Sequence, residues 1–189
     1  MEHTLKKIKS IYPLEEGPLN LLLSSLKCIE FPKNHLLIRA GKIEPVLYFI
    51  ETGIARAYID GQDNRITFWF GMEGDVVLSY NSYIKGKPGY ENIELLENSK
   101  VYEINNAVLE SLYQNHASLA NWGRKLAELE LIKTEELYIS KLFKPARERY
   151  EDLLRCYPAL VKRVQLGHIA SYLGVTQVTL SRIRAEHKI

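Results

Sequence analysis

Polar and basic side chains recur near the end of the chain, and their types suit hydrogen bonds with the bases and phosphates of DNA. Two short amphipathic segments flank Gly174 within residues 165–184. In the second segment, Leu180 and Ile183 are three residues apart and therefore share one face of a helix. The residues around this apolar face that we predict to contact DNA are Thr176, Gln177, Val178, Thr179, Ser181, Arg182 and Arg184.

These side chains match different parts of a DNA duplex. Glutamine can form two hydrogen bonds with adenine, serine can bond to several base edges, and valine can contact the methyl group of thymine. Arginine and threonine suit phosphate oxygens, and arginine also suits guanine. The residue types therefore favour DNA contact, whereas an ordinary helical hairpin with a polar surface is the alternative.

The turn between the two segments has its own signals. Gly174 tolerates the left-handed conformation that ends a helix, and Thr176 offers an oxygen that can cap the next helix. In the first segment, Ile169 and Leu173 are four residues apart and share a face, while the small Ala170 permits two helices to cross closely. The pattern predicts a helix-turn-helix.

The elements that position this unit alternate between helical and β-rich character. Residues 3–28 and 106–142 have helical periodicity, and Phe143-Lys144-Pro145 is predicted to be a hinge. Between residues 29 and 104, short runs of β-branched and aromatic residues alternate with turn signals, which indicates a β-sandwich or barrel. The predicted strands are residues 36–39, 46–50, 55–59, 65–70 and 100–104, with a hairpin turn at Asp60-Gly61.

One apolar seam in the long helical stretch predicts association of two chains. It is formed by Leu119, Trp122, Leu126 and Leu129, which follow one another at steps of three and four residues. Such a seam could pack on the protein's own barrel or pair with a second copy as a short coiled coil. We favour a homodimer with this seam as its interface, because helix-turn-helix proteins usually bind paired half-sites.

Charge is distributed unevenly along the 189 residues, although the net charge is only +2. Residues 141–189 contain ten Lys and Arg against four Asp and Glu, whereas residues 1–140 have a net negative charge. A basic module on an acidic body suits binding to a phosphate backbone. By itself, such a charge run can also be no more than a solvated face.

Several classes of protein and site are disfavoured by the sequence. A hydrophobic content of 46% and a charged content of 25% are typical of a globular protein, and the apolar runs are too short to span a membrane. The first residues lack the apolar core of a signal peptide, so we expect a cytoplasmic protein without membrane association. Cys28 and Cys156 lack metal-type spacing, and we expect no metal site and no cofactor. Neither a catalytic spacing nor a phosphate-binding glycine loop supports an enzyme.

The whole order of predicted elements resembles the Crp/Fnr family of bacterial transcription regulators. Residues 37–41 and 47–53 resemble the first barrel strands and glycine turn of that family, and Gly74-Asp75 resembles the pair that precedes its ligand cassette. Residues 169–183 resemble its DNA-recognition unit. The resemblance implies an α+β fold with an N-terminal jelly-roll β-barrel of cyclic nucleotide-binding type and flanking helices at residues 1–115. It further implies a long dimerisation helix at residues 116–142 and a helix-turn-helix domain at residues 143–189.

The ligand cassette departs from the family pattern. In members that bind cyclic AMP, a Glu bonds the ribose hydroxyl, and an Arg followed by Ser or Thr holds the cyclic phosphate. Here these positions fall on Ser79 and on Gly89-Tyr90, and the nearby Glu91 would repel a phosphate. We therefore expect that cyclic AMP is not the effector. A pocket for a different small molecule is predicted from Ser79, Tyr80, Asn81, Tyr83, Gly89 and Tyr90, unless these residues simply fill the barrel.

Together these features predict a sequence-specific DNA-binding transcription regulator that senses an effector of unknown identity. The expected partners are double-stranded DNA, a second copy of the chain, a small-molecule effector and RNA polymerase. The alternative is a ligand-binding regulatory module whose C-terminal domain mediates protein contacts rather than DNA binding.

Overall fold

The computed structural model describes residues 1–62 and 64–187, without the side chain of residue 187. The chain forms two compact units. The first unit contains residues 1–57 and 70–131, and the second contains residues 58–69 and the chain from Ile132 onward. Among the described residues, no helix combines the length and the apolar character that a membrane span needs.

Helical, β-rich and again helical segments follow one another along the chain as the sequence predicts, but the strands Lys27–Phe31, Val76–Leu78 and Asn92–Leu95 are not predicted. The strands are β1 (Lys27–Phe31), β2 (Leu36–Ile38), β3 (Val46–Thr52), β4 (Ala55–Asp60), β5 (Arg65–Gly71), β6 (Val76–Leu78), β7 (Asn92–Leu95) and β8 (Ser99–Asn105). The helices are α1 (Glu2–Ile11), α2 (Glu16–Ser24), α3 (Tyr80–Lys85), α4 (Asn106–Asn115), α5 (Ala117–Phe143), α6 (Ala146–Cys156), α7 (Pro158–Arg163), α8 (Leu166–Leu173) and α9 (Gln177–His187).

The strands form two four-stranded sheets, ordered β1-β8-β3-β6 and β2-β7-β4-β5. Strand β3 runs antiparallel to β8, with Leu47 opposite Ile104 and Phe49 opposite Tyr102. Alternate side chains of a strand point to one face, so these four residues enter the same core. The predicted α+β fold with a jelly-roll barrel and flanking helices is confirmed.

The helical periodicity of residues 106–142 predicts one continuous stretch, but the structure interrupts it at His116, where the family resemblance starts the long helix. His116 has extended backbone dihedrals of φ −138° and ψ 103°, and it separates α4 from α5. Asn105 caps α4 by accepting a hydrogen bond of 2.8 Å from the N–H of Ala107. Helix α5 then runs without interruption over 27 residues, ending at the predicted hinge before Pro145.

The predicted dimer seam at the start of α5 is wrong, because the first unit already uses it as core. Leu119 and Trp122 are fully buried and Leu126 is 5% exposed, all in one cluster with residues of β3 and β8. The indole N–H of Trp122 donates a 3.0 Å hydrogen bond to the carbonyl oxygen of Ile8 on α1. Leu129 is partly buried against the same cluster. Leu119, Trp122 and Leu126 therefore pack within their own chain, as in the intramolecular alternative, and are not available to a second copy.

Candidate functional site

The turn between α8 and α9 has the geometry of a helix-turn-helix. Gly174 has φ 67° and ψ 34°, the left-handed conformation that glycine adopts without steric cost. The N–H of Gly174 donates to the carbonyl of Ser171 at 3.1 Å, and the N–H of Val175 donates to the carbonyl of Ala170 at 3.0 Å. These bonds satisfy carbonyls at the end of α8. The prediction that Gly174 ends the first helix is confirmed.

Helix α9 begins with the predicted side-chain cap. The N–H of Thr179 donates to Oγ1 of Thr176 at 3.1 Å, and the hydroxyls of the two threonines are 2.9 Å apart. Such a cap stabilises a helix by about 1 kcal/mol. Because both threonines belong to the predicted DNA-contact set, the cap also fixes the start of that surface.

The apolar and polar faces of α9 are separated as the periodicity predicts. Leu180 is fully buried and Ile183 is 9% exposed, and Leu173 on α8 is also buried. Arg184 is half-buried. The predicted contact residues with exposed side chains are Thr176, Gln177, Val178, Thr179, Ser181 and Arg182. The structure thus presents a small, polar and basic surface along the first two turns of α9.

Two contacts within the second unit hold α8 in place, and the sequence carries no local signal for either. The hydroxyl of Ser171 accepts a 2.9 Å hydrogen bond from the N–H of Thr67 and donates one of 2.9 Å to the carbonyl of Arg65. It therefore bonds to the backbone of β5 as a neighbouring strand would. At the same C-terminal end of α8, the guanidinium of Arg149 donates to the carbonyl of Leu173 at 2.6 Å, and it also donates to the carbonyl of Lys144 at 2.6 Å.

The predicted ligand cassette, here called the effector cassette, contains Ser79, Gly89 and Glu91 and is closely packed around Gly89. Ser79 is fully buried and precedes α3, and Gly89 is buried as well. A Cβ atom on Gly89 would lie 2.5 Å from Oγ of Ser79 and 3.0 Å from Oε1 of Glu91. Glu91 is 5% exposed, and its carboxylate accepts a 2.9 Å hydrogen bond from the N–H of Tyr90. The structure thus brings Ser79 and Gly89 together and adds the carboxylate of Glu91 to them.

The other predicted pocket residues are placed differently. Tyr80 and Tyr90 are 47% and 66% exposed. Tyr83 packs against the core of the first unit, and its hydroxyl lies 3.2 Å from that of Tyr113. Burial raises the pKa of the Tyr83 phenol, with a smaller opposing effect of the hydrogen bond to Tyr113. Asn81 is half-buried. Tyr83 therefore fills space in the core of the first unit, which is the alternative to a role in lining a ligand pocket.

A buried ion pair in the same unit was missed by sequence reasoning. Nη2 of Arg56 on β4 lies 2.7 Å from Oε1 of Glu94 on β7, and the two side chains are 3% and 13% exposed. Charged groups are rarely buried unless they are paired. Arg56 lies inside an apolar strand sequence, so only the fold could show that Glu94 is its partner.

A further feature is the placement of the possible metal ligands and of the two cysteines in the described part of the chain. No group of three or more His, Cys, Asp or Glu residues is placed to hold a metal ion among residues 1–62 and 64–187. Cys28 and Cys156 are free and exposed.

Comparison with known proteins finds a matching family model for one segment and similar solved structures for most of the chain. Residues 28–116 match the family model described as the cyclic nucleotide-binding domain. Among curated protein sequences, none matches the chain. A protein from Eubacterium rectale assigned to the Crp/Fnr family of transcriptional regulators has a similar structure, with a TM-score of 0.73 and 16% identity, over 95% of this chain and 88% of that chain.

Two other solved structures are similar over most of their length. CLP from Xanthomonas campestris, a c-di-GMP responsive global regulator, has a TM-score of 0.68 and 17% identity over 92% of each chain. FixK2 from Bradyrhizobium japonicum has a TM-score of 0.69 and 20% identity over 85% of this chain and 83% of that chain. Residues 28–116 therefore match the cyclic nucleotide-binding domain model, and the chain has the same fold as these solved regulators.

Proposed function

We propose that the protein is a dimeric, sequence-specific DNA-binding transcription regulator of the cytoplasm, with α9 as its recognition helix. The observation that carries the proposal is the capped helix α9, which buries Leu180 and Ile183 and exposes polar and basic side chains on the other side. A recognition helix lies in the major groove with its N-terminal residues against the base edges. The exposed residues begin at Thr176, immediately at the N-terminus of α9.

The contact residues divide by chemistry into two groups. Gln177, Val178 and Ser181 are proposed to contact base edges, because their side chains suit adenine, the thymine methyl group and several base edges respectively. Arg182 and Arg184, together with the two capping threonines, are proposed to contact phosphates or guanine. The basic composition of residues 141–189 supports binding to a phosphate backbone.

The proposed dimer interface is the second half of α5, which replaces the seam that the core occupies. Its exposed apolar side chains follow helical spacing and lie on one face of the helix. They are Leu131, Ile132, Tyr138, Ile139, Leu142 and Phe143, with exposed fractions between 49% and 78%. An unpartnered stripe of this kind is typical of a helix that pairs with another helix.

Sedimentation velocity tests this interface with two matched variants. Ile139→Glu places a charge within the apolar stripe, whereas Lys133→Glu places one on a different face of the same helix. We expect the wild type and Lys133→Glu to sediment as dimers at micromolar concentration and Ile139→Glu as a monomer. Equal dimerisation of both variants would rule out this interface.

The proposed effector is a molecule other than cyclic AMP. A bound cyclic phosphate at Gly89 would face the buried carboxylate of Glu91 and the hydroxyl of Ser79. Lys85 and Lys87, the basic residues of the cassette, are exposed. Burying an anion beside a carboxylate without a facing cation is unfavourable. These residues support a domain of cyclic nucleotide-binding type that responds to different chemistry.

The experiment that tests DNA binding does not require a known operator. Duplexes are selected from a random library with the full chain, and the affinity of the selected duplex is then measured by fluorescence anisotropy at fixed salt. Arg182→Ala is expected to weaken binding, whereas Arg124→Ala removes an exposed arginine of the first unit and should leave it unchanged. A failure to select any duplex would favour the alternative, a regulatory module whose last helices bind protein.

A further inference from the structure

A cavity in the second unit is lined by none of the predicted DNA-contact residues of α9 and by no residue of the cassette. Its volume is about 110 Å³, and its walls come from α5, α6, α8 and the segment that leads into α7. A single buried water needs about 10–15 Å³ on such a measure, so the cavity has room for a molecule larger than water. All of its lining residues lie between Leu137 and Leu173, within one compact unit.

Two cationic side chains border the cavity. The Nε atom of Arg149 is buried and has no hydrogen-bond partner within the described chain, although the other guanidinium nitrogens bond to backbone carbonyls. Nζ of Lys141 lies 5.5 Å from the ring centroid of Tyr172, which also lines the cavity. Burial lowers the pKa of the Lys141 ammonium, and the positive charge of Arg149 lowers it further. Lys141 is exposed to solvent and Arg149 is half-buried, and both line the cavity, so an anion in the cavity would meet two positive charges.

The carboxylate in the wall of the cavity is already engaged. Asp152 lines the cavity, but its Oδ2 lies 2.5 Å from Nζ of Lys144 and its Oδ1 lies 2.5 Å from Nη2 of Arg155. Its charge is thus balanced by two cations other than Lys141 and Arg149. An incoming anion would meet a carboxylate that is neutralised by its own partners.

The remaining walls are largely apolar. Leu137, Leu153 and Leu173 contribute aliphatic side chains, and Tyr157 and Tyr172 contribute aromatic rings. A cavity with apolar walls and a few convergent polar groups is the usual form of a small-molecule site. A fully hydrated ion such as inorganic phosphate would lose its water without gaining polar partners on most sides.

We propose that this cavity binds a small organic carboxylate with an apolar body, its carboxylate between Lys141 and Arg149 and its body against the leucines and tyrosines. The site is separate from the effector cassette, and it requires neither DNA binding nor a second copy of the chain. Arg149 also bonds to the carbonyl of Leu173, the last residue of α8, so a ligand bound here would touch the support of the helix-turn-helix.

Isothermal titration calorimetry of the full chain with sodium benzoate tests the proposal. Benzoate combines a carboxylate with an apolar ring, and inorganic phosphate and chloride at equal ionic strength serve as anions without an apolar body. We expect saturable binding of benzoate with one site per chain, and binding of phosphate that is weaker by about tenfold or more.

Three variants identify the location of any binding. Lys141→Gln removes the ammonium group and is expected to weaken benzoate binding by about tenfold, the size of one charge-assisted contact. Ser140→Met keeps both cations but fills part of the cavity, and it should weaken benzoate binding to a similar extent. Lys162→Gln removes an exposed cation of α7 that does not line the cavity, so benzoate binding should be unchanged.

The outcomes separate the proposal from simple charge attraction. Absence of saturable benzoate binding to the wild type overturns it, and so does phosphate binding of equal strength. Equal losses in Lys141→Gln and Lys162→Gln would place the binding on the basic surface rather than in the cavity. Circular dichroism melts in chloride check that each variant is folded. If Lys141→Gln does not fold, Ser140→Met still tests whether benzoate binds in the cavity.

Discussion

The helix-turn-helix and the effector cassette differ in how well their side chains match the chemistry predicted for each. Helix α9 keeps exposed polar and basic side chains where contact with DNA needs them. The cassette instead places Ser79, Gly89 and the carboxylate of Glu91 together in a buried and closely packed group. The comparison teaches that one chain can present an exposed surface suited to the proposed DNA contact while its packed cassette offers no cation to a cyclic phosphate.

The largest effect is expected where the cassette is packed most closely. Gly89→Ala places a Cβ atom 2.5 Å from Oγ of Ser79, so we expect the free energy of unfolding to fall by about 1–3 kcal/mol. In a Trp69→Phe background, the buried Trp122 reports urea unfolding of the first unit. Adding Ser79→Ala should recover part of the loss, because the contact between the two side chains is removed.

This double-mutant cycle tests whether Ser79 and Gly89 are in close contact within the cassette. If the losses of unfolding free energy in Gly89→Ala and Ser79→Ala simply add, the side chains at the two positions are not in close contact. The cassette would then have free space for a ligand beside Gly89, contrary to the packing that we describe.

A smaller effect is expected at the contact that holds α8 to the β5 backbone. Ser171→Ala leaves the N–H of Thr67 and the carbonyl of Arg65 without this hydroxyl, and we expect the contact to weaken by about 1 kcal/mol. Amide hydrogen exchange should therefore become faster at Thr67, measured residue by residue by NMR.

The matched control is Ser181→Ala, which removes an exposed hydroxyl of α9. Exchange at Thr67 should not change in that variant. Equal exchange rates in Ser171→Ala and the wild type would mean that the hydroxyl of Ser171 does not protect β5.

No effect is expected from cyclic AMP at millimolar concentration, in contrast to a true ligand of the cassette. A ligand at 100 times its Kd adds about 2.7 kcal/mol to stability and raises the Tm clearly. We expect the Tm measured by differential scanning fluorimetry to match that in an equal concentration of non-cyclic AMP. A clear rise with cyclic AMP alone would show that the buried Glu91 does not exclude the cyclic phosphate.

The sequence predicts the helix-turn-helix well, because its determinants are local. Gly174 and Thr176 act within one turn of the chain, and the spacing of Leu180 and Ile183 defines the buried face. Strands β2, β3, β4, β5 and β8 are predicted for the same reason, since alternation and turn residues are short-range signals, whereas the short strands β6 and β7 are not predicted. No comparable local signal separates α4 from α5 at His116.

The prediction of the dimer seam failed because periodicity identifies an apolar face but not what covers it. Leu119 and Trp122 on α5 meet the core of the first unit, whereas Ile139 and Leu142 on the same helix remain exposed. The distinction depends on where β3 and α1 lie in space. Contacts such as Ser171 with Thr67, which are 104 residues apart, are equally invisible to spacing rules.

The most direct test of the central claim asks whether α9 distinguishes base sequences. Gln177→Ala is compared with the wild type on the selected duplex and on a scrambled duplex of the same length, by fluorescence anisotropy at one salt concentration. A side chain that bonds a base edge contributes about 1–3 kcal/mol of discrimination. We predict that Gln177→Ala weakens binding to the selected duplex at least about fivefold while binding to the scrambled duplex is unchanged. Equal binding of both proteins to both duplexes would contradict the assignment of α9 as the recognition helix.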